Sequence, residues 1–247
     1  MPSLPQSRML LALALGLTAA AANVLGGLSI VWREWSREYL KYFLALGAGF
    51  MLAAVFLEVI PESLRLSGDR ALLLVLGGYF LVHFFEHALA PHFHFGEETH
   101  VSAVVPQHAN LAALLGLTIH TFFDGVAIAS GFLVSTWLGG VIFLAVVLHK
   151  LPEGFTVASL MLASGQSRRL ALLSSVMLGA ATLAGVLLMS VLQAQVRYAL
   201  PLSGGVTLYV AASDLLPEVN REPGVRMAFV VFLGVALMLA LDRLFRF

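Results

Sequence analysis

His120 and Asp124 stand four residues apart inside an apolar run, and His149 and Glu153 repeat that spacing inside the next one. In an α-helix residues i and i+4 lie on one face, a turn apart, so each run offers an imidazole nitrogen beside a carboxylate oxygen. Two such faces turned toward each other make an N2O2 donor set, which suits Zn²⁺, tolerates Fe²⁺, Mn²⁺ or Cd²⁺, and does not suit sulfur-seeking Cu(I). The chain has no cysteine, which excludes thiolate ligands, disulfides and cysteine nucleophiles. HTFFDGVAIAS from His120 aligns with HKLPEGFTVAS from His149, pairing His120 with His149, Asp124 with Glu153 and Gly125 with Gly154, all 29 positions apart (149 minus 120). An ionisable side chain in the middle of a membrane helix costs roughly 3 kcal/mol to insert, so a duplicated pair points to function. The plainer alternative is polar helix packing through interhelical hydrogen bonds. Gly125 and Gly154 are expected to let helices approach closely, and Pro152 to interrupt the hydrogen bond to the Leu148 carbonyl.

The elements that must position these residues are membrane helices. Of 247 residues 60% are hydrophobic and 11% charged, and the mean hydropathy is +0.92, far from soluble domains. Apolar segments of the length a bilayer core requires fall at about residues 9–31, 40–62, 71–90, 109–133, 138–163, 170–192, 199–218 and 225–242. They are continuously apolar rather than alternating, which excludes barrel strands. The expectation is an all-α polytopic membrane protein of eight transmembrane helices, a single transmembrane domain over residues 1–247. The first run, Met9 to Trp32, is longer than a signal-peptide core and is expected to be a retained span. Lys and Arg in the connections divide almost evenly between the two sides, so charge does not choose an orientation. A formal net charge of zero removes the electrostatic case for nucleic acid. The polar loop over residues 91–108 holds His92, His94, Glu97, Glu98, His100 and His108, a composition that reads equally as weak metal binding or as a solvated loop.

A second repeat frames the first. GFMLAAVFLEVIPE from Gly49 matches GVTLYVAASDLLPE from Gly205 without a gap, 156 positions on (205 minus 49), so that Glu58 pairs with Asp214 and Pro61-Glu62 with Pro217-Glu218. The second and seventh helices therefore correspond, as do the fourth and fifth. That suits an inverted repeat of 3+2+3 helices, with the site at the midplane where the repeats meet. Glu58, Asp214, Glu62 and Glu218 are candidates for a cation pathway, with polar helix-end caps the alternative for the last two. His83, Glu86 and His87, spaced by three and four, are a candidate relay on the third helix.

On these residues the chain resembles the ZIP (Zrt- and Irt-like protein) family, in particular its bacterial GufA-like branch. The family's fourth-helix motif, H-N-x-x-[DE]-G, is met by His120, Asp124 and Gly125. Its fifth-helix motif, H-[NED]-x-P-[EH], is met by His149, Pro152 and Glu153. The resemblance implies that His120, Asp124, His149 and Glu153 bind a transported divalent metal, most readily Zn²⁺, which is cargo rather than cofactor. It also implies a homodimer, alternating access, movement toward the cytoplasm and a place in the bacterial cytoplasmic membrane, with no enzymatic activity. The sequence departs from the family at Thr121 and Lys150, and the sixth helix has no Asp or Glu. The resemblance assigns those three positions to a second metal site, so a binuclear centre is not expected. Lys150 would set its ammonium where the second ion would sit, unless it snorkels to water. An intramembrane zinc hydrolase is the alternative class, against which stands the absence of H-E-x-x-H.

Overall fold

The computed structural model describes residues 4–32, 37–89 and 107–245. The expectations for His92, His94, Glu97, Glu98 and His100, and for the side chain of His108, fall outside the described residues. No strand occurs among the described residues, and eight of their helices are long and apolar enough to cross a membrane. The first helix is Leu4–Trp32, the third Arg70–Leu89, the fourth Gln107–Val134, the fifth Thr136–Ala163, the sixth Arg168–Val191 and the eighth Arg226–Phe245. The second is built of Arg37–Ala54, Val55–Val59 and Ile60–Ser67, and the seventh of Gln193–Gln195, Val196–Tyr209, Val210–Leu215 and Leu216–Asn220. Ser135 alone separates the fourth helix from the fifth, its Oγ accepting from the Leu138 N–H at 3.0 Å as an N-cap. So short a connection makes the two helices antiparallel neighbours.

Glycine contacts reveal how the repeats interlock. A Cβ on Gly78 would lie 2.0 Å from the Leu202 carbonyl, and one on Gly234 would lie 2.2 Å from that of Leu46. One on Gly205 would meet the Val75 carbonyl at 1.9 Å, and one on Gly49 that of Val231 at 2.0 Å. Every partner in these contacts is displaced by the same 156 positions (234 minus 78, 231 minus 75). The third helix thus packs on the seventh as the eighth packs on the second.

The same symmetry relates the first helix to the sixth. Gly26 packs on Leu151 and Phe155 as Gly185 packs on Phe122 and Val126. Because the fourth and fifth helices are antiparallel and exchange roles, the repeat is inverted, with its pseudo-twofold axis passing between them.

The second and seventh helices each carry one widened turn at equivalent places. The Ile60 N–H reaches the Val55 carbonyl and the Leu216 N–H that of Ala211, an i→i+5 bond in both. Pro61 and Pro217 give a local reason. A proline has no N–H to donate and its ring crowds the carbonyl four residues earlier, so the helix opens there. Glu58 and Asp214 sit within these widened turns, both buried.

Candidate metal site

The fourth and fifth helices cross so that His120, Asp124, His149 and Glu153 converge, each offering a ligand atom within 4.8 Å of the others, all buried. Among the described residues no other group of three or more His, Asp or Glu does so. His120 Nε2 and His149 Nε2 are 3.3 Å apart, His149 Nε2 and Asp124 Oδ2 3.3 Å, and His120 Nε2 and Asp124 Oδ2 2.9 Å. A tetrahedral ion with bonds of about 2.0–2.1 Å has ligand–ligand edges of roughly 3.3–3.4 Å. Two of the three measured edges match and the third is short, so His120, His149 and Asp124 are spaced as three ligands of one small cation would be. His149 Nδ1 lies 3.0 Å from the Ala145 carbonyl. A carbonyl only accepts, so Nδ1 donates there and Nε2 is the nitrogen turned toward the cluster.

Glu153 is held differently. Its Oε1 accepts from the Thr121 hydroxyl and its Oε2 pairs with the Lys150 ammonium. Lys150 Nζ also lies 2.6 Å from Asp124 Oδ2 and donates to Thr121 Oγ1 at 3.2 Å. The lysine is 0% exposed, so it does not snorkel to water. It bridges the two carboxylates, and one ammonium against two carboxylates leaves these three side chains with a formal charge of −1.

Gly125 and Gly154, which follow the two carboxylates, permit the close packing that encloses the cluster. A Cβ on Gly125 would lie 1.9 Å from the Thr182 carbonyl and one on Gly154 1.9 Å from that of Asn23. Ser175 Oγ donates to the Gly154 carbonyl at 3.0 Å.

Toward the Ser135 end, Val59, Ala127, Ile142, Val146 and Leu200 form an apolar layer one turn beyond the cluster. Beyond that layer Glu58, Glu62, Arg65, Ser135 and Trp137 line a cavity of about 480 Å³. Glu62 pairs with Arg65 at 2.7 Å and Glu218 with Arg221 at 3.1 Å, equivalent ion pairs that carry the 156-residue repeat one turn beyond the Pro-Glu pairs (221 minus 65). Because the second and seventh helices are antiparallel equivalents, Glu58 and Asp214 lie toward opposite ends of the bundle.

His83, Glu86 and His87 do not converge on one point. The two imidazoles lie 4.1 Å apart between centroids, tilted by 36°, while Glu86 Oε2 accepts from the Tyr209 hydroxyl at 2.8 Å. Tyr79 and Ser213 share a hydrogen bond of 2.7 Å nearby. Spacing does not single out Asn23, Tyr79 or Tyr209, because neutral polar residues in apolar helices are common as packing groups.

Membrane-length helices, an inverted repeat and a buried cluster of metal-ligand chemistry at its axis define a polytopic helical membrane protein. The family model for the ZIP zinc transporter matches residues 103–242, more than half of the chain, and the chain belongs to that family. It is 30% identical over 143 residues to a zinc transporter ZIP13 homolog of Drosophila melanogaster, covering 53% of this chain and 40% of the relative. It is 28% identical over 205 residues to zinc transporter ZIP13 of Pongo abelii, covering 74% and 60%. Against human zinc transporter ZIP4 the figures are 34% over 122 residues, covering 47% and 19%. The chain thus spans less than two thirds of the length of each of these relatives.

Proposed function

We propose that this chain moves a divalent transition metal ion, Zn²⁺ foremost, across a membrane by alternating access, and that His120, Asp124, His149 and Glu153 are its ligands. The observation that carries the reading is the meeting of the duplicated His and carboxylate pairs on the pseudo-twofold axis, with donor spacings that suit a tetrahedral ion. The first relatives' names, all zinc transporters, support the same cargo. The apolar layer between the cluster and the cavity lined by Glu58 and Glu62 acts as the closed gate of this state. Opening it while the equivalent packing around the seventh helix closes exposes the ion alternately to either side. Glu58 and Asp214, one toward each end, attract the cation by local negative potential. One ion is carried per cycle, Lys150 standing where a second cation would otherwise bridge the carboxylates. A homodimer, a bacterial cytoplasmic membrane and net movement toward the cytoplasm belong to the same proposal. Hydrolysis is the weaker reading, since all four donors are enclosed by helices and the named relatives are transporters. Purified protein in sealed liposomes should take up Zn²⁺ saturably and hydrolyse no peptide or ester substrate. Zinc-dependent hydrolysis without flux would reverse the assignment.

A further inference from the structure

The buried residues of the first helix are Met9, Ala12, Gly16, Ala19, Ala20, Asn23, Gly26, Gly27 and Val31, and Asn23 is the one polar side chain among them. Asn23 is 0% exposed, and neither its Oδ1 nor its Nδ2 has a hydrogen-bond partner among the described residues. A carboxamide so placed is a liability, because burying an unpaired polar atom costs about 1–3 kcal/mol and an apolar side chain of the same shape costs nothing comparable. Packing alone does not account for it.

Its position is defined by symmetry. The Asn23 backbone carbonyl and Cα abut Gly154, the residue after Glu153, as the Thr182 carbonyl abuts Gly125, the residue after Asp124. Gly26 and Gly185 are related by the same displacement of 159 positions (182 minus 23, 185 minus 26), and Ala20 meets Gly179 on the axis itself. Asn23 and Thr182 are therefore equivalent positions flanking the two halves of the cluster. They differ in commitment: Thr182 Oγ1 donates to the Leu178 carbonyl within its own helix at 3.4 Å, whereas the Asn23 carboxamide is bound to neither helix.

We infer that Asn23 is the first helix's contribution to cation selection. Its carboxamide oxygen serves, directly or through one water, the coordination position left over once the four ligands on the fourth and fifth helices are bound. This rests on the proposed role of the cluster. A tetrahedral Zn²⁺ is complete with four donors, whereas Mn²⁺ prefers more and harder oxygen ligands. An uncommitted amide oxygen on the residue whose backbone packs on Gly154, the neighbour of Glu153, thus favours Mn²⁺ over what the N2O2 set alone would select.

The test compares Mn²⁺ and Zn²⁺ affinity and melting temperature in the full-length protein in detergent, for wild type, Asn23→Leu, Asn23→Ala and Asp124→Ala. Asn23→Leu should fold with an unchanged or higher melting temperature and lose Mn²⁺ affinity about tenfold more than Zn²⁺ affinity, the scale of losing an outer partner of a metal site. If leucine does not fit, the smaller alanine reads the same ratio. An unchanged Mn²⁺/Zn²⁺ ratio, or a lowered melting temperature with metal affinity intact, would overturn the inference and make the carboxamide structural. Zinc affinity indifferent to Asp124→Ala would remove the cluster reading and this inference with it. Loss with Asp124→Ala alone removes only the inference.

Discussion

Lys150→Ala is the most informative perturbation of the cluster, because it removes one charge and leaves the four proposed ligands in place. The ammonium pairs with both Asp124 Oδ2 and Glu153 Oε2. Without it the two carboxylates, whose ligand oxygens lie within 4.8 Å of each other, face one another in a buried site. At an effective dielectric of about 20, two like charges at that distance repel by roughly 3.5 kcal/mol. Breaking a buried ion pair by removing one partner costs about 3–5 kcal/mol in measured cases, and the two figures agree. A divalent ion repairs this loss, since it supplies the positive charge that the lysine did. The variant should therefore melt well below wild type without metal, and zinc should raise its melting temperature far more than it raises that of wild type. Zinc binding should tighten while turnover slows, because the empty carrier must reorient with its carboxylates uncompensated. Thermal unfolding with and without Zn²⁺, combined with flux in liposomes, reads all of this. Equal melting temperatures without metal and an unchanged maximal flux would refute the reasoning and make Lys150 a bystander.

Other perturbations probe separate parts of the account. Asp124→Ala and His149→Ala should abolish zinc flux while the protein remains folded in detergent, checked by elution profile and helical content. Gly154→Ala and Gly125→Ala each push a methyl to within 1.9 Å of a backbone carbonyl, which cannot yield as a side chain would, and should destabilise by about 3 kcal/mol or more. Gly140→Ala, with nothing within 4 Å, should be neutral or slightly stabilising, and melting temperatures compare the three. Metal analysis of the purified protein should find about one zinc per chain, and Lys150→Asp should raise that number by adding a carboxylate beside Asp124.

The central pair was legible because a histidine and a carboxylate four apart in apolar sequence are costly and because the pattern occurs twice. The correspondence of the second and seventh helices was legible from Pro61-Glu62 and Pro217-Glu218, residues whose backbone and charge cannot be exchanged for generic apolar ones. The equivalence of the third and eighth helices was not. On largely exposed helices such as these, any large apolar side chain serves against lipid, and scattered matches such as Val75 with Val231 and Gly78 with Gly234 are too few to stand out. The widened turns at Val55–Val59 and Val210–Leu215 were signalled only by the prolines that follow them. Lys150 left two readings open at the level of sequence, a snorkelling side chain or an internal cation, and only packing distinguishes them. Asn23 gave no signal, since a single amide in an apolar helix has no partner at helical spacing and becomes conspicuous only when its neighbours are known.

The most direct test of the central claim is where zinc binds. Diffraction at the zinc absorption edge from zinc-loaded crystals should give one strong peak between the fourth and fifth helices, about 2.0–2.2 Å from His120 Nε2, His149 Nε2 and carboxylate oxygens of Asp124 and Glu153. A peak elsewhere in the bundle, with those four side chains unligated, would contradict it.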